Sequence, residues 1–238
     1  MSGEVEISVF LPVYNEEKIL GSNLTKVYQA LSELNCKFEI VVVDDASTDK
    51  TSEVVAKLEK KIPELRHLRY ETGPTRRENL AKAFRTAKGK IIIFMDADLA
   101  TDLKHLPQLI EEIKAGNDIV VGSRYMGIKA KRVFTRRIIS FLYNSFINLY
   151  FNSKIHDHQC GFKAFRREIL FPLLQEMGYD ENLVRGWFWD AELLIRAQRK
   201  KLKIKEIPVN WEYGDKTSFI LARELRMLPY VLKLRWKL

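Results

Sequence analysis

Short apolar runs recur through the first half of the chain: Ile7 to Val13, Phe38 to Val43, Leu65 to Tyr70, Ile91 to Met95 and Asp118 to Val121. Each reads as a strand. Between them, around Glu16 to Leu34, Thr51 to Lys61, Thr75 to Ala87 and Leu103 to Lys114, the apolar positions follow helical spacing. This alternation predicts an α/β fold with a largely parallel sheet and helices on both faces. Ligands of such sheets bind at the carboxyl ends of the strands. Three of the runs end there in polar signatures, LPVYNE, VVVDDASTDKT and FMDADLAT.

The second half is patterned differently. Ile138 to Phe151, IISFLYNSFINLYF, carries polar residues only every fourth position, at Ser140, Asn144 and Asn148, apart from the Tyr hydroxyls and Ser145. That is a helix with a narrow polar stripe and a very wide apolar face. It suits either a core position or the interface of a membrane, and at 14 residues it is too short to span one. The C-terminal segment, SFILARELRMLPYVLKLRWKL, interleaves Arg223, Arg226, Lys233, Arg235 and Lys237 with Leu, Tyr and Trp236. Such a helix suits an anionic lipid surface or a solvated position on the domain. Pro229 is expected to kink or divide it.

Charge sharpens this picture. Forty basic residues against 31 acidic ones give a net +9, which suggests anionic partners: nucleic acid, a nucleotide or an acidic membrane. From Arg124 to Arg137 six basic residues occur without an acidic one. Cys36 and Cys160 stand far apart without metal-ligand spacing, so neither a disulfide framework nor a structural zinc site is indicated, and a reducing cytoplasm is the expected setting. The first residues, MSGEVEISVF, lack the pattern of a secretory signal, and no run of 18 apolar residues exists; a chain that does not cross a membrane is expected.

The sharpest chemical feature is DADLAT at the end of the Ile91 to Met95 run. In an extended chain residues i and i+2 face the same way, so Asp96 and Asp98 would aim two charges in one direction. Neighbouring carboxylates repel unless a cation lies between or beside them. A helix cap is the bland alternative for one of them. A phosphatase nucleophile of the DxDx[TV] type is another, but position 100 is Ala and the Thr falls one residue late. Ser47 and Asp49 in DDASTDKT read as N-terminal caps of the next helix.

Taken in order, LPVYNEE, VVVDDASTDKT, MDADLAT, GSRY, DHQCGFKAF and WFWDAELLIRA resemble family 2 glycosyltransferases of the GT-A fold. Within them the chain is similar to polyprenyl-phosphate hexose synthases, and DADLAT, QCGFK and IPVNWEYGDKTS look closer to dolichyl-phosphate glucosyltransferases than to mannose synthases. The resemblance implies a GT-A domain over residues 1–215, with a nucleotide-binding half at 1–122 and an acceptor half at 123–215. A basic amphipathic segment follows at 216–238. It also implies an inverting enzyme that moves a hexose from a UDP- or GDP-sugar to dolichyl or polyprenyl phosphate, peripherally on the cytoplasmic face of an anionic membrane and with no nucleic-acid partner.

On that resemblance Asp96 and Asp98 would hold Mg²⁺ or Mn²⁺ against the donor diphosphate. Pro12, Tyr14, Glu16, Asp44, Asp45 and Asp96 match nucleotide-binding positions, with Asp45 accepting from the base and Asp44 shaping the loop. Arg124, Arg136, Arg137, Lys216 and Ser218 match positions that bind the acceptor phosphate, a task suited to guanidinium groups. Asp190 sits where many relatives carry a general base. A phosphate acceptor, already ionised near neutrality, needs little such help, so Asp190 could instead orient an arginine or the donor sugar. Two departures stand out. Mannose synthases commonly have a Gln where this chain has Ala100, and many relatives continue into transmembrane helices after the position of Leu238. A binding module without transfer activity remains the non-enzyme alternative.

Overall fold

The computed structural model describes residues 4–74, 77–126, 134–179, 185–212 and 227–238. Seven strands form one sheet: β1 (Ile7–Val13), β2 (Phe38–Asp45), β3 (Leu65–Tyr70), β4 (Ile91–Met95), β5 (Ile119–Ser123), β6 (Phe162–Arg166) and β7 (Ile204–Pro208). Their order is β3-β2-β1-β4-β6-β5-β7. The α-helices among the described residues are α1 (Leu20–Ser32), α2 (Thr51–Glu59), α3 (Arg77–Phe84), α4 (Leu106–Lys114), α5 (Phe134–Phe151), α6 (Arg167–Met177), α7 (Phe188–Arg199) and α8 (Leu228–Lys237).

Helices cover both faces, as the alternation of patterns predicts. Ile7, Val9 and Leu11 pack with α1, α2 and α4, while Phe10, Val41, Ile92 and Phe94 pack with α3, α6 and α7. Strands buried on both faces need continuous apolar runs, which is why β1 and β4 are so plain in the sequence. Pairing is parallel except around β6, which runs antiparallel between β4 and β5. This reversal positions the site. It brings the start of β6 beside the end of β4, with Met95 opposite Phe162 and Asp96 N–H donating to Gly161 O at 3.0 Å.

α5 packs into the core on one side and leaves an apolar face exposed on the other. Ile147 and Phe151 pack with Phe188, Ala191 and Ile195 of α7 and with Val231 and Leu234 of α8. The polar stripe also points inward: Ser140 hydrogen-bonds the Tyr125 hydroxyl at 2.7 Å, and Asn144 Oδ1 receives His158 N–H at 3.1 Å. What remains outside is apolar, with Phe141 59%, Leu142 60% and Leu149 88% exposed. Pro229 lies in the first turn of α8, where its missing N–H costs nothing, and the part of the last segment that precedes Met227 lies outside the described residues.

The inward stripe has a pH signature. His158 is fully buried, with Nδ1 2.8 Å from Asn144 Oδ1 and Nε2 2.8 Å from Ser153 Oγ. A neutral ring protonated on Nδ1 satisfies both contacts. Burial pulls its pKa down to about 4, with Lys163 and His156 pulling the same way and Asp157 opposing. A lowered histidine stabilises the fold while neutral, so its contribution is intact above about 6.5 and is lost as pH falls toward 4, worth about 3 kcal/mol. His158→Gln keeps a donor and an acceptor but does not titrate. Its melting temperature should fall less steeply than the parent's between pH 6.5 and 4.5, and equal slopes would contradict this assignment.

Candidate active site at the carboxyl edge of the sheet

The loops after β1 and β2 are stitched into one unit. Ser47 Oγ accepts from Asn15 N–H at 3.0 Å, Thr51 Oγ1 from Glu16 N–H at 2.8 Å, and Asp49 Oδ2 from Glu17 N–H at 3.2 Å. In return Asn15 Oδ1 accepts from Thr48 N–H at 2.7 Å and Glu17 Oε2 from Lys50 N–H at 2.9 Å. Ser47 is therefore not a cap of α2. The N-cap is Lys50, without a side-chain cap bond, and Asp49 bridges the loops while also accepting from Thr51 N–H at 2.9 Å. Pro12, Tyr14 and Glu16, all partly exposed, line the rim of this unit.

Asp44 and Asp45 differ in their surroundings. Asp44 is fully buried and accepts from Ser47 N–H at 2.8 Å, Ser52 Oγ at 2.6 Å and Arg69 Nη1 at 3.1 Å. Burial alone would raise its pKa, but His67, Ser47 and Ser52 hold it well below the usual carboxylate range. It shapes the loop. Asp45 Oδ1 accepts from Asn79 Nδ2 of α3 at 2.9 Å. Beside them Gly73 is obligatory, since a Cβ there would strike the Asp45 carbonyl.

At the end of β4 the two aspartates stand in a turn and not in the extended strand. The strand stops at Met95, Leu99 takes φ +52°, and Leu99 N–H donates to Asp96 O at 3.1 Å. Asn23 of α1 steadies the turn by donating to Ala97 O at 2.9 Å, and Asp98 Oδ1 accepts from Ala100 N–H at 3.0 Å. Asp98 is exposed and Asp96 half-buried. Gly161 makes room for Asp96, because a Cβ there would occupy the space of its carboxylate.

Three side chains that the sequence analysis does not single out complete this centre. Lys163 Nζ donates to Asp190 Oδ1 at 2.9 Å and to Cys160 O at 2.6 Å, while Arg77 Nε donates to Asp190 Oδ2 at 3.1 Å. Both cations lie against the Phe94 ring, at 4.7 Å for Arg77 and 5.5 Å for Lys163. Burial would raise the Asp190 pKa, but Lys163 and Arg77 together hold it below its ordinary value. Asp96 goes the other way: burial, with Asp98 and Asp190 nearby, pushes it up to about 6 against the opposing pull of Arg77 and Lys163. The third is Asp157, which orients Arg124 by accepting from Nε at 2.6 Å and Nη2 at 2.7 Å. The guanidinium keeps further donors and lies over the Trp211 ring at 5.7 Å.

The chain after β7 closes the rim. Thr101 and Trp211 form an antiparallel bridge, Glu212 N–H donates to Ala100 O at 2.8 Å, and the Ala100 methyl is buried. Lys216, Ser218 and the side chains of Arg136 and Arg137 lie outside the described residues. Lys163 and Asp157 stand inside DHQCGFKAF, so the motif itself was the available signal; Arg77, in a basic pair before ENL, offered none.

These residues fit a divalent cation. Two hard oxygen ligands sit together at an open edge, one of them so crowded that it holds its proton more tightly than usual. Among the described residues no group of three or more His, Cys, Asp or Glu gathers as a complete cage, so the protein's share would be the Asp pair.

The chain is 36% identical over 239 residues to glycosyltransferase AglD of Haloferax volcanii, which covers 98% of this chain and 38% of that protein. It is 32% identical over 240 residues to dolichyl-phosphate beta-glucosyltransferase ALG5A of Trichomonas vaginalis, covering 97% of this chain and 73% of the relative. The fold is similar to glucosyl-3-phosphoglycerate synthase of Mycobacterium tuberculosis, solved with Mn²⁺, UDP and glucosyl-3-phosphoglycerate, with TM-score 0.68, 19% identity, and 98% of this chain and 80% of that one covered. The model of glycosyl transferase family 2 matches residues 8–171, and the chain belongs to that family.

Proposed function

We propose that the chain transfers a hexose, glucose or mannose, from a UDP- or GDP-sugar to dolichyl or polyprenyl phosphate, giving a lipid-phosphate β-hexose. One observation carries this reading: the strand-end loops gather Asp45, Asp96 and Asp98 at one edge, with the arginine Arg124 across the antiparallel strand β6. The Trichomonas relative, most of whose length the chain covers, is a dolichyl-phosphate beta-glucosyltransferase by name, which supports this reading.

In this reading Tyr14 and Asp45 receive the base, and Asp96 with Asp98 hold Mg²⁺ or Mn²⁺. That ion supplies fixed positive charge for the leaving diphosphate. Arg124, braced by Asp157, grips the acceptor phosphate. A phosphate oxygen attacks the anomeric carbon as its bond to the diphosphate breaks, which inverts the anomeric centre. The acceptor is already mostly ionised, with a second pKa of about 6, so no base is needed. Asp190 fits that economy. Its oxygens are taken by Lys163 and Arg77 and its lowered pKa makes it a poor base, which weighs against a glycan hydroxyl as acceptor.

No described helix is long and apolar enough to cross a membrane. Access to a lipid phosphate is offered by α5 and α8, which pack on each other, with Phe141, Leu142 and Leu149 exposed on α5 and Trp236, Lys233, Arg235 and Lys237 exposed on α8. Exposed apolar and cationic side chains on packed helices suit an anionic leaflet, as on the cytoplasmic face.

The test is a panel of labelled UDP- and GDP-hexoses with dolichyl phosphate and Mg²⁺ or Mn²⁺. We expect one donor to yield an acid-labile lipid-phosphate hexose. Transfer to a glycan hydroxyl only, or to no acceptor, would overturn the reading.

A further inference from the structure

A buried polar chain runs from the C-terminal helix to the donor loops. Tyr230 of α8 donates to Glu192 Oε2 of α7 at 2.7 Å. Arg185 Nε donates to the Tyr230 hydroxyl at 3.2 Å and lies 3.3 Å from Glu192 Oε2. The same guanidinium donates to the carbonyls of Met177 and Gly178 at the end of α6 and stands 3.7 Å from Glu78 Oε1 of α3. One side chain thus touches α3, α6, α7 and α8. Arg185, Glu192 and Glu78 are all buried, and a buried ionic network tolerates no loose member without a large cost.

The other end of this chain is the site itself. Glu78 lies between Arg77, which pairs with Asp190, and Asn79, which donates to Asp45. Arg77 also feels Asp96 and Asp45, which with Asp190 hold its pKa up against burial. The first turn of α3 therefore meets Asp190 of α7, the base-side loop and the network in three consecutive residues. Close-packed elements of this kind transmit a shift rather than absorb it.

We propose that Tyr230 and Arg185 are positioning residues that couple the seating of α8 to the donor loops, so that docking of α8 on an anionic bilayer raises the affinity for a nucleoside diphosphate. The proposal rests on the membrane reading above, since α8 carries both Tyr230 inward and Trp236, 89% exposed, outward. Linkage then makes the effect reciprocal: nucleotide must tighten membrane binding by the same factor.

The experiment uses the full chain with vesicles of phosphatidylcholine alone or with phosphatidylserine, titrated with UDP and GDP in the presence of Mg²⁺, alongside flotation. For the parent we expect flotation with the anionic vesicles, lost at high salt, and a Kd for one nucleotide lowered about fivefold or more. Tyr230→Phe keeps the ring against Phe188 but removes the hydroxyl, so it should float as the parent does while its nucleotide Kd is the same with and without vesicles. Flotation without any change in the parent's Kd would overturn the coupling and leave the membrane reading standing. A parent that does not float overturns that reading and the coupling with it. A Tyr230→Phe protein that keeps the gain removes Tyr230 from the relay. The parent's reciprocal gain in flotation on adding nucleotide decides the coupling independently of any variant.

Discussion

Asp98→Asn will lower hexose transfer by at least about a hundredfold while leaving the melting temperature within a degree or two of the parent's, on the scale at which loss of one transition-state charge contact acts. The reason is that Asp98 is exposed and, among the described residues, accepts a hydrogen bond only from Ala100 N–H, which an amide oxygen can still accept. The fold therefore has little to lose. The chemistry has much to lose, because a hard divalent cation at this edge has two protein carboxylates within reach and the substitution removes one charge of the two. Nucleotide binding provides the second readout. In Mn²⁺ the affinity for UDP or GDP should fall in the variant, whereas without metal parent and variant should bind alike. Transfer within twofold of the parent at ordinary metal concentration would remove Asp98 from the site.

The parts of this site that the sequence discloses are those that end a buried strand. β1, β3 and β4 have the predicted bounds, and for β1 and β4 the reason is that a strand covered on both faces has little room for polar residues until it reaches the edge. Asp45, Asp96 and Asp98 are conspicuous for that reason. β6 and β7 escape the same analysis. FKAFR places Lys163 in a buried strand as the partner of Asp190, and IKEIP lies at the sheet edge with only Ile207 buried. Neither offers an apolar run to detect. Arg77 is hidden for another reason: its partner Asp190 is 113 positions away, and no local pattern encodes such a contact. The DAD pair stands in a turn with a left-handed Leu99 and not in the extended strand, so strand alternation does not set where its two carboxylates point. α5 is ambiguous in one dimension because its stripe could face either way. Only Tyr125 and His158, supplied by distant loops, reveal that the polar side is the inner one.

Asp190 offers the other large effect, and here stability should move with activity. Asp190 is 3% exposed and is the carboxylate partner of Lys163, whose side chain is 1% exposed. Deleting it in Asp190→Ala leaves a buried ammonium uncompensated, which costs about 3–5 kcal/mol. For a chain of this size that is roughly a 10 °C fall in melting temperature. Transfer should fall too, through a raised KM for the donor, because Arg77 loses the carboxylate that holds it beside Asp96 and Asp45. Pairing Asp190→Leu with Lys163→Met replaces the ion pair by apolar groups of similar size. Such an exchange is often neutral for stability, so the double variant should recover most of the melting temperature while transfer stays low, since Arg77 is still unbraced. A general base would behave differently. Asp190→Asn would then abolish kcat with the melting temperature and the donor KM both unchanged, and that result would return Asp190 to the role of proton acceptor.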